Sequence, residues 1–287
     1  MQPREEDIVF GATLHHVKFL RQILKALTIV DDVIFEVEEQ GVRLTVEEGR
    51  CVQASLYIPH EWFADYFVKP NDDNSPITFA VNLASLTGCL RMTTDDDCKL
   101  IIIYSGTAYP MVLAFNGTDS NVSIEAELKT KTFEETLNFH KHTMPIEHNR
   151  VLMSGSNFAM LFSEIDVSPE EIEILLSPKE PFFLLSATCK VQATATVQVA
   201  KTSNTIIRFN CPQEIKARYR SSHIRFASKC LSFAQTVALT VYTTGLLSIE
   251  ILIGNNHSDT SRRSHHQTTS NIAPDGPSAV LKYFITP

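Results

Sequence analysis

Three cations, Lys18, Arg21 and Lys25, stand at i, i+3 and i+7, the spacing that puts side chains on one face of an α-helix. Such a row can meet a line of phosphates or can be an ordinary solvated face, and spacing alone leaves both open. Farther along, Arg91 closes a second helical pattern, Lys99 opens a strand pattern, and Lys229 is the sole base in the helix-like stretch 229–236. Bases at a helix end also simply complement its dipole. Arg218, Arg220 and Arg225 form another basic cluster, open to nucleic acid, a neighbouring chain or water.

Residues for bond-making chemistry are harder to find. Asp31-Asp32, Asp72-Asp73 and Asp95-Asp96-Asp97 fall in turn-like stretches, where Asp is favoured by hydrogen bonds to its own backbone. No Asp-x-Glu occurs, so a two-metal nuclease lacks its usual opening. His140-x-His142 with His148, and His257 with His265-His266, lack the partnering Cys or carboxylates of a closed zinc site. The six cysteines, Cys51, Cys89, Cys98, Cys189, Cys211 and Cys230, include no Cys-x-x-Cys pair and read as neutral, mostly buried thiols. Nucleotide-binding, serine-hydrolase and dinucleotide fingerprints are absent from the sequence. The expectation is a non-enzymatic protein with no metal and no cofactor.

The elements that must position these residues are mostly strands. Residues 33–38 and 42–47 flank Glu39-Gln40-Gly41 as a hairpin, and 52–59, 77–81, 99–104, 110–115 and 122–128 continue in strand-sized runs. Two segments switch to helical spacing: Val17, Leu20, Ile23, Leu24 and Leu27, and then Leu83, Leu86 and Leu90 behind the N-cap Asn82. The second half repeats the order, with a strand at 151–153, a helix at 157–165 and a hairpin of 171–176 with 182–186. Strands are predicted at 191–199, 205–209 and 224–227, a short helix at 229–236, and strands at 237–242 and 246–253. Residues 254–279 are rich in Ser, Thr, Asn and His and read as a disordered insertion before a last strand at 279–285. At 287 residues, 44% hydrophobic and 20% charged, the composition is that of a globular protein. No apolar run reaches the roughly 18 residues of a membrane span, and the first residues are acidic rather than signal-like, so an intracellular protein is expected. The net charge of −8 excludes a uniformly basic surface but not a basic lining.

Several stretches carry a family resemblance. They are Lys18-Phe19-Leu20-Arg21-Gln22-Ile23-Leu24-Lys25-Ala26-Leu27, Gln40-Gly41-Val42-Arg43-Leu44-Thr45-Val46-Glu47 and Arg50-Cys51-Val52-Gln53-Ala54. Residues 79–90, Tyr109-Pro110-Met111, Glu134-Glu135-Thr136-Leu137, Phe162-Ser163-Glu164-Ile165-Asp166 and Leu176-Ser177-Pro178-Lys179-Glu180-Pro181-Phe182 extend it. Together they resemble the Rad-one subunits of the heterotrimeric DNA-damage checkpoint clamp. That resemblance implies an α+β DNA sliding-clamp fold of two similar domains, each with an antiparallel sheet and two inner helices. The expected division is 1–132 and 150–287, with an outer connector at 133–149. It further implies a nuclear protein, away from membranes, that joins two other checkpoint-clamp subunits in a ring around double-stranded DNA. A clamp loader would open the ring, and repair and checkpoint signalling proteins would dock on it. Lys18, Arg21, Lys25, Arg91, Lys99 and Lys229 would then face DNA, and Leu113, Phe115, Val122 and Ile124 would lie at a subunit interface. A homotrimeric replication clamp is the second reading and a metal-dependent 3'-5' exonuclease the third.

Overall fold

The computed structural model describes residues 7–15, 17–71, 75–93, 98–117, 123–133, 136–137, 139, 149–165, 170–188, 194–201, 204–254 and 277–287. The first half runs β1 (Phe10–Leu14), α1 (Val17–Leu24), β2 (Asp32–Glu38), β3 (Gly41–Glu48), β4 (Val52–Pro59), β5 (Asp65–Val68), β6 (Ile77–Asn82), α2 (Leu83–Cys89), β7 (Lys99–Tyr104), β8 (Met111–Asn116) and β9 (Ser123–Leu128). After the two-residue β10 (Thr130–Lys131), the second half repeats that order. It runs β11 (Asn149–Ser154), α3 (Gly155–Ser163), β12 (Glu171–Leu176), β13 (Phe183–Thr188), β14 (Thr194–Val199), β15 (Ile206–Asn210), β16 (Ile215–Arg220), α4 (Ser221–Ser228), β17 (Ala234–Val241), β18 (Leu247–Gly254) and β19 (Ser278–Ile285).

The pairing repeats as well. Sheet order β5-β1-β7-β8-β9 in the first half matches β15-β11-β17-β18-β19 in the second, and β6-β2-β3-β4 matches β16-β12-β13-β14. The two halves are joined where β4 pairs antiparallel with β19, from Val52 with Ile285 to Tyr57 with Val280, which makes one ten-stranded sheet across the junction. Every strand pair is antiparallel, as expected of strands that bury one face and wet the other. In β2 the inward residues are Val33, Phe35 and Val37; in β12 they are Ile172, Ile174 and Leu176.

Local chemistry sets the element ends. Asn82 caps α2 by accepting a hydrogen bond from the Ser85 amide at 2.9 Å, and Ser154 caps α3 through the Asn157 amide at 3.3 Å. Gly155 opens α3 because α3 lies so close to β17 that a Cβ there would collide with the Ala234 carbonyl. Tyr283 of β19 points through the junction and places its hydroxyl 2.8 Å from the Ala26 carbonyl and 3.2 Å from that of Phe226. The end of the first helix and α4 therefore share one face of the ten-stranded sheet. On the other face Phe284 stacks on Phe139 at 5.5 Å, and Leu137 is held by Glu47 and Gln53 through hydrogen bonds of 2.8 and 2.7 Å.

Two predicted elements are corrected. Residues 224–227 are not a strand but the middle of α4, in which Ser221, Ile224 and Ala227 are buried at helical spacing. The helix predicted at 229–236 is only the 3-10 turn Leu231–Phe233, with β17 already begun at Ala234. Strands β1, β5 and β16 were not anticipated. The insertion at 255–276 and most of the connector at 133–149 lie outside the described residues.

Candidate nucleic-acid interface

The first cationic row forms on α1 and the 3-10 turn Lys25–Leu27 that continues it. Val17, Ile23, Leu24, Ala26 and Leu27 are buried, which fixes the roll of the helix and sends Lys18 and Lys25 to solvent, with Arg21 half-buried between them. Thr28 then stops the helix by donating from its hydroxyl to the Lys25 carbonyl at 2.7 Å.

Lys229 arrives at the same place from the other half of the chain. Its ammonium donates to the Thr28 hydroxyl at 2.9 Å and lies 5.0 Å above the Phe226 ring. Partial burial there pulls its pKa below the ordinary lysine value. Lys229 is therefore engaged at the junction between the halves. The α4 face left to solvent carries Ser222, Arg225 and Ser228. A basic band thus runs along Lys18, Arg21 and Lys25, crosses the junction at Lys229, and ends on Arg225. From the sequence Arg225 is open to nucleic acid, a neighbouring chain or water, as are Arg218 and Arg220; the helical spacing of Ser221, Ile224 and Ala227 is the signal that separates it from them.

The remaining predicted bases are scattered. Arg91 is exposed in the turn after α2, its amide bonded to the Gly88 carbonyl at 3.0 Å. Lys99 begins β7 with its ammonium 4.0 Å from the Asp65 carboxylate. α3 carries no base and leaves Met160 half exposed at 51%.

The predicted interface residues divide. β8 is paired on both sides, by β7 and β9, so Leu113 and Phe115 are fully buried core residues rather than contact residues. The edge lies one strand out, on β9, where Ile124 is half-buried and Glu125 and Glu127 are exposed; Val122 lies outside the described residues. In the second half β14 ends its sheet, among the described residues, with Thr194, Thr196 and Gln198 outward.

Among the described residues, no three His, Cys, Asp or Glu side chains converge to hold a metal ion. Asp32 is engaged by Lys131 at 2.7 Å, and burial pushes the Cys230 thiol up to about 12, which leaves it protonated and unreactive. Asp72, Asp73, Asp95, Asp96 and Asp97 and the clustered histidines His140, His142, His148, His257, His265 and His266 lie outside the described residues. Among the described helices none is long and apolar enough to cross a membrane.

Comparison with known proteins agrees with this architecture. The family model described as "Repair protein Rad1/Rec1/Rad17" matches residues 9–253. The chain is 31% identical to the DNA repair protein Rad1 of Drosophila melanogaster over 248 residues, covering 86% of this chain and 89% of the relative. It is 27% identical over 260 residues to the cell cycle checkpoint protein RAD1 of Homo sapiens, covering 89% of each. A family model spanning most of the chain, and a relative of this similarity over nearly its full length, leave one assignment: the chain belongs to the Rad1/Rec1/Rad17 family of DNA-repair and cell-cycle checkpoint proteins, which is built on the sliding-clamp fold.

Proposed function

We propose that this chain is one subunit of a heterotrimeric nuclear ring that encircles double-stranded DNA and serves as a platform for checkpoint signalling and repair proteins. The observation that carries the reading is that β9 and β14, among the described residues, each lack a partner strand on their outer side. β4 and β19 occupy equivalent outer positions in their halves to β14 and β9, and inside the chain β4 and β19 are already paired. The same type of joint is therefore available between chains, β9 of one against β14 of the next. Such head-to-tail contacts are heterologous, and they close into a ring when the rotation per subunit allows. Open sheet edges favour this pairing because their backbone groups otherwise face water.

The division into domains at 1–132 and 150–287, joined by 133–149, follows from that reading. The helix face, with its band from Lys18 to Arg225, lines the hole, where cations spread along several elements neutralise phosphates without reading bases. This is binding rather than catalysis, and it accounts for a chain whose net charge is negative while one face is basic. The supporting relatives are named for checkpoint and repair roles, which fits a non-catalytic subunit loaded by a separate clamp loader.

The experiment is purification of the chain with and without candidate clamp subunits, read by light scattering and mass spectrometry. The expected result is a monomer alone and a one-to-one-to-one complex with two different partners. A stable self-trimer would replace this reading with a homotrimeric clamp, and a chain indifferent to every partner would remove the ring.

A further inference from the structure

The sheet β14-β13-β12-β16 also has an open edge at β16: among the described residues no strand pairs with its outer side. Its equivalent in the first half, β6, is not open. There β10 lies antiparallel along the edge, Thr130 opposite Val81 and Lys131 opposite Ala80, and Lys131 reaches across to Asp32 of β2 at 2.7 and 2.9 Å. The two edges correspond residue by residue, because each strand runs directly into a helix. Asn82 pairs with Asp32, and Arg220 pairs with Glu171. Val81 and Ala80 thus answer to Tyr219 and Arg218.

The charge order differs between the two. In the first half the inner strand carries the acid and the added strand the base. In the second half β16 itself carries the bases: Lys216, Arg218 and Arg220 alternate outward while Tyr219 is buried. Glu173 of β12 accepts from Lys216 at 2.8 Å and from Arg218 at 2.9 Å. Opposite charges on directly facing strands stabilise a sheet, so the sequence acid on β12, base on β16, continues with an acid on the next strand.

We propose that the outer edge of β16 is a docking site for an extended, acidic segment of a partner protein, which adds to the sheet antiparallel as β10 adds to β6 and sets its carboxylates opposite Arg218 and Arg220. A strand supplies the backbone donors and acceptors that the edge lacks, which a DNA backbone does not, so a peptide rather than nucleic acid fits. The same bases repel basic strands and discourage apolar ones, so the edge is selective rather than merely sticky. This inference goes beyond the ring reading and does not rest on it.

The test uses the full chain and a fluorescent octapeptide of alternating valine and glutamate, with two control peptides: the lysine counterpart, and an acidic one with proline at alternate positions. Anisotropy should show binding of the first peptide only, and hydrogen exchange should slow at 215–220 and not at 123–128 or 194–199. Arg218→Gln with Arg220→Gln should weaken binding about fivefold to tenfold, from the loss of two cross-strand charge pairs, with a native circular-dichroism spectrum certifying the fold, since Arg218→Gln also gives up its pair with Glu173. Should that variant lose the native spectrum, Arg220→Gln alone keeps the comparison. Equal binding of the proline peptide would reduce the site to simple charge attraction and overturn the proposal. So would protection of 215–220 by duplex DNA instead of peptide, or protection without peptide that grows with protein concentration, which would assign the edge to a second copy.

Discussion

At the scale of single residues, the basic band is a sum of small, separable contributions. Each phosphate neutralised in duplex DNA adds about 0.9 to the slope of log affinity against log salt. Lys18→Glu, Arg21→Glu and Lys25→Glu combined, in the assembled complex, should therefore weaken DNA binding and flatten that slope by about 2 to 3, read by anisotropy across a salt series. An unchanged slope would return the row to an ordinary solvated face. Glu173 offers a second test, in stability. The hydrogen bond from Lys216, opposed by burial and aided by Arg218, holds its carboxyl below the ordinary value of 4.5. A depressed folded-state pKa contributes stability that is complete above the unfolded value and fades as pH falls through the folded one. Glu173→Gln should accordingly lower the melting temperature near neutral pH, and the gap from the parent protein should narrow as pH falls from the unfolded value through the depressed folded one.

Elements were legible wherever a long period survived in the sequence. The stripe from Val17 to Leu27, the N-cap at Asn82 and the hairpin around Gly41 all stand as the pattern indicated, and Gly41 is required because a Cβ there would strike the Ile58 carbonyl. What failed were short elements whose period is ambiguous. Ile224-Arg225-Phe226 alternates apolar and charged like a strand, yet tertiary burial of Ser221, Ile224 and Ala227 makes the stretch a helix. β16 was legible and passed over: Ile215-Lys216-Ala217-Arg218-Tyr219-Arg220 alternates apolar and charged residues, the period of a half-buried strand, and with it went the open edge. Phe115 was assigned to an interface because the sequence does not say which strand of a sheet is outermost; pairing decides that. The junction between halves was likewise unreadable, since nothing in Val52 or Ile285 announces its partner. That junction depends on the Tyr283 hydroxyl, buried between two carbonyls from opposite halves. Tyr283→Phe should cost about 1–3 kcal/mol in urea unfolding, because it leaves those carbonyls without that donor.

At the scale of the whole molecule, the two halves are alike in topology and unlike in electrostatics. α1 carries the cationic row, whereas its counterpart α3 carries none and presents Met160. In a ring, DNA would be drawn toward the first half and the junction rather than held at the centre. Met160→Lys should then raise DNA affinity and steepen the salt slope by about 1; no change would mean that α3 faces away from the duplex. The junction also governs time. The outer edge of β4 is synthesised early, but β19, the strand that covers it, follows every other described strand. Until it arrives, the outer backbone edge of β4 has no partner strand, and the contact that unites the halves can form only once the last strand is made. A chain cut short before residue 278 would therefore keep the edge of β4 unpaired permanently, a template for association with other chains.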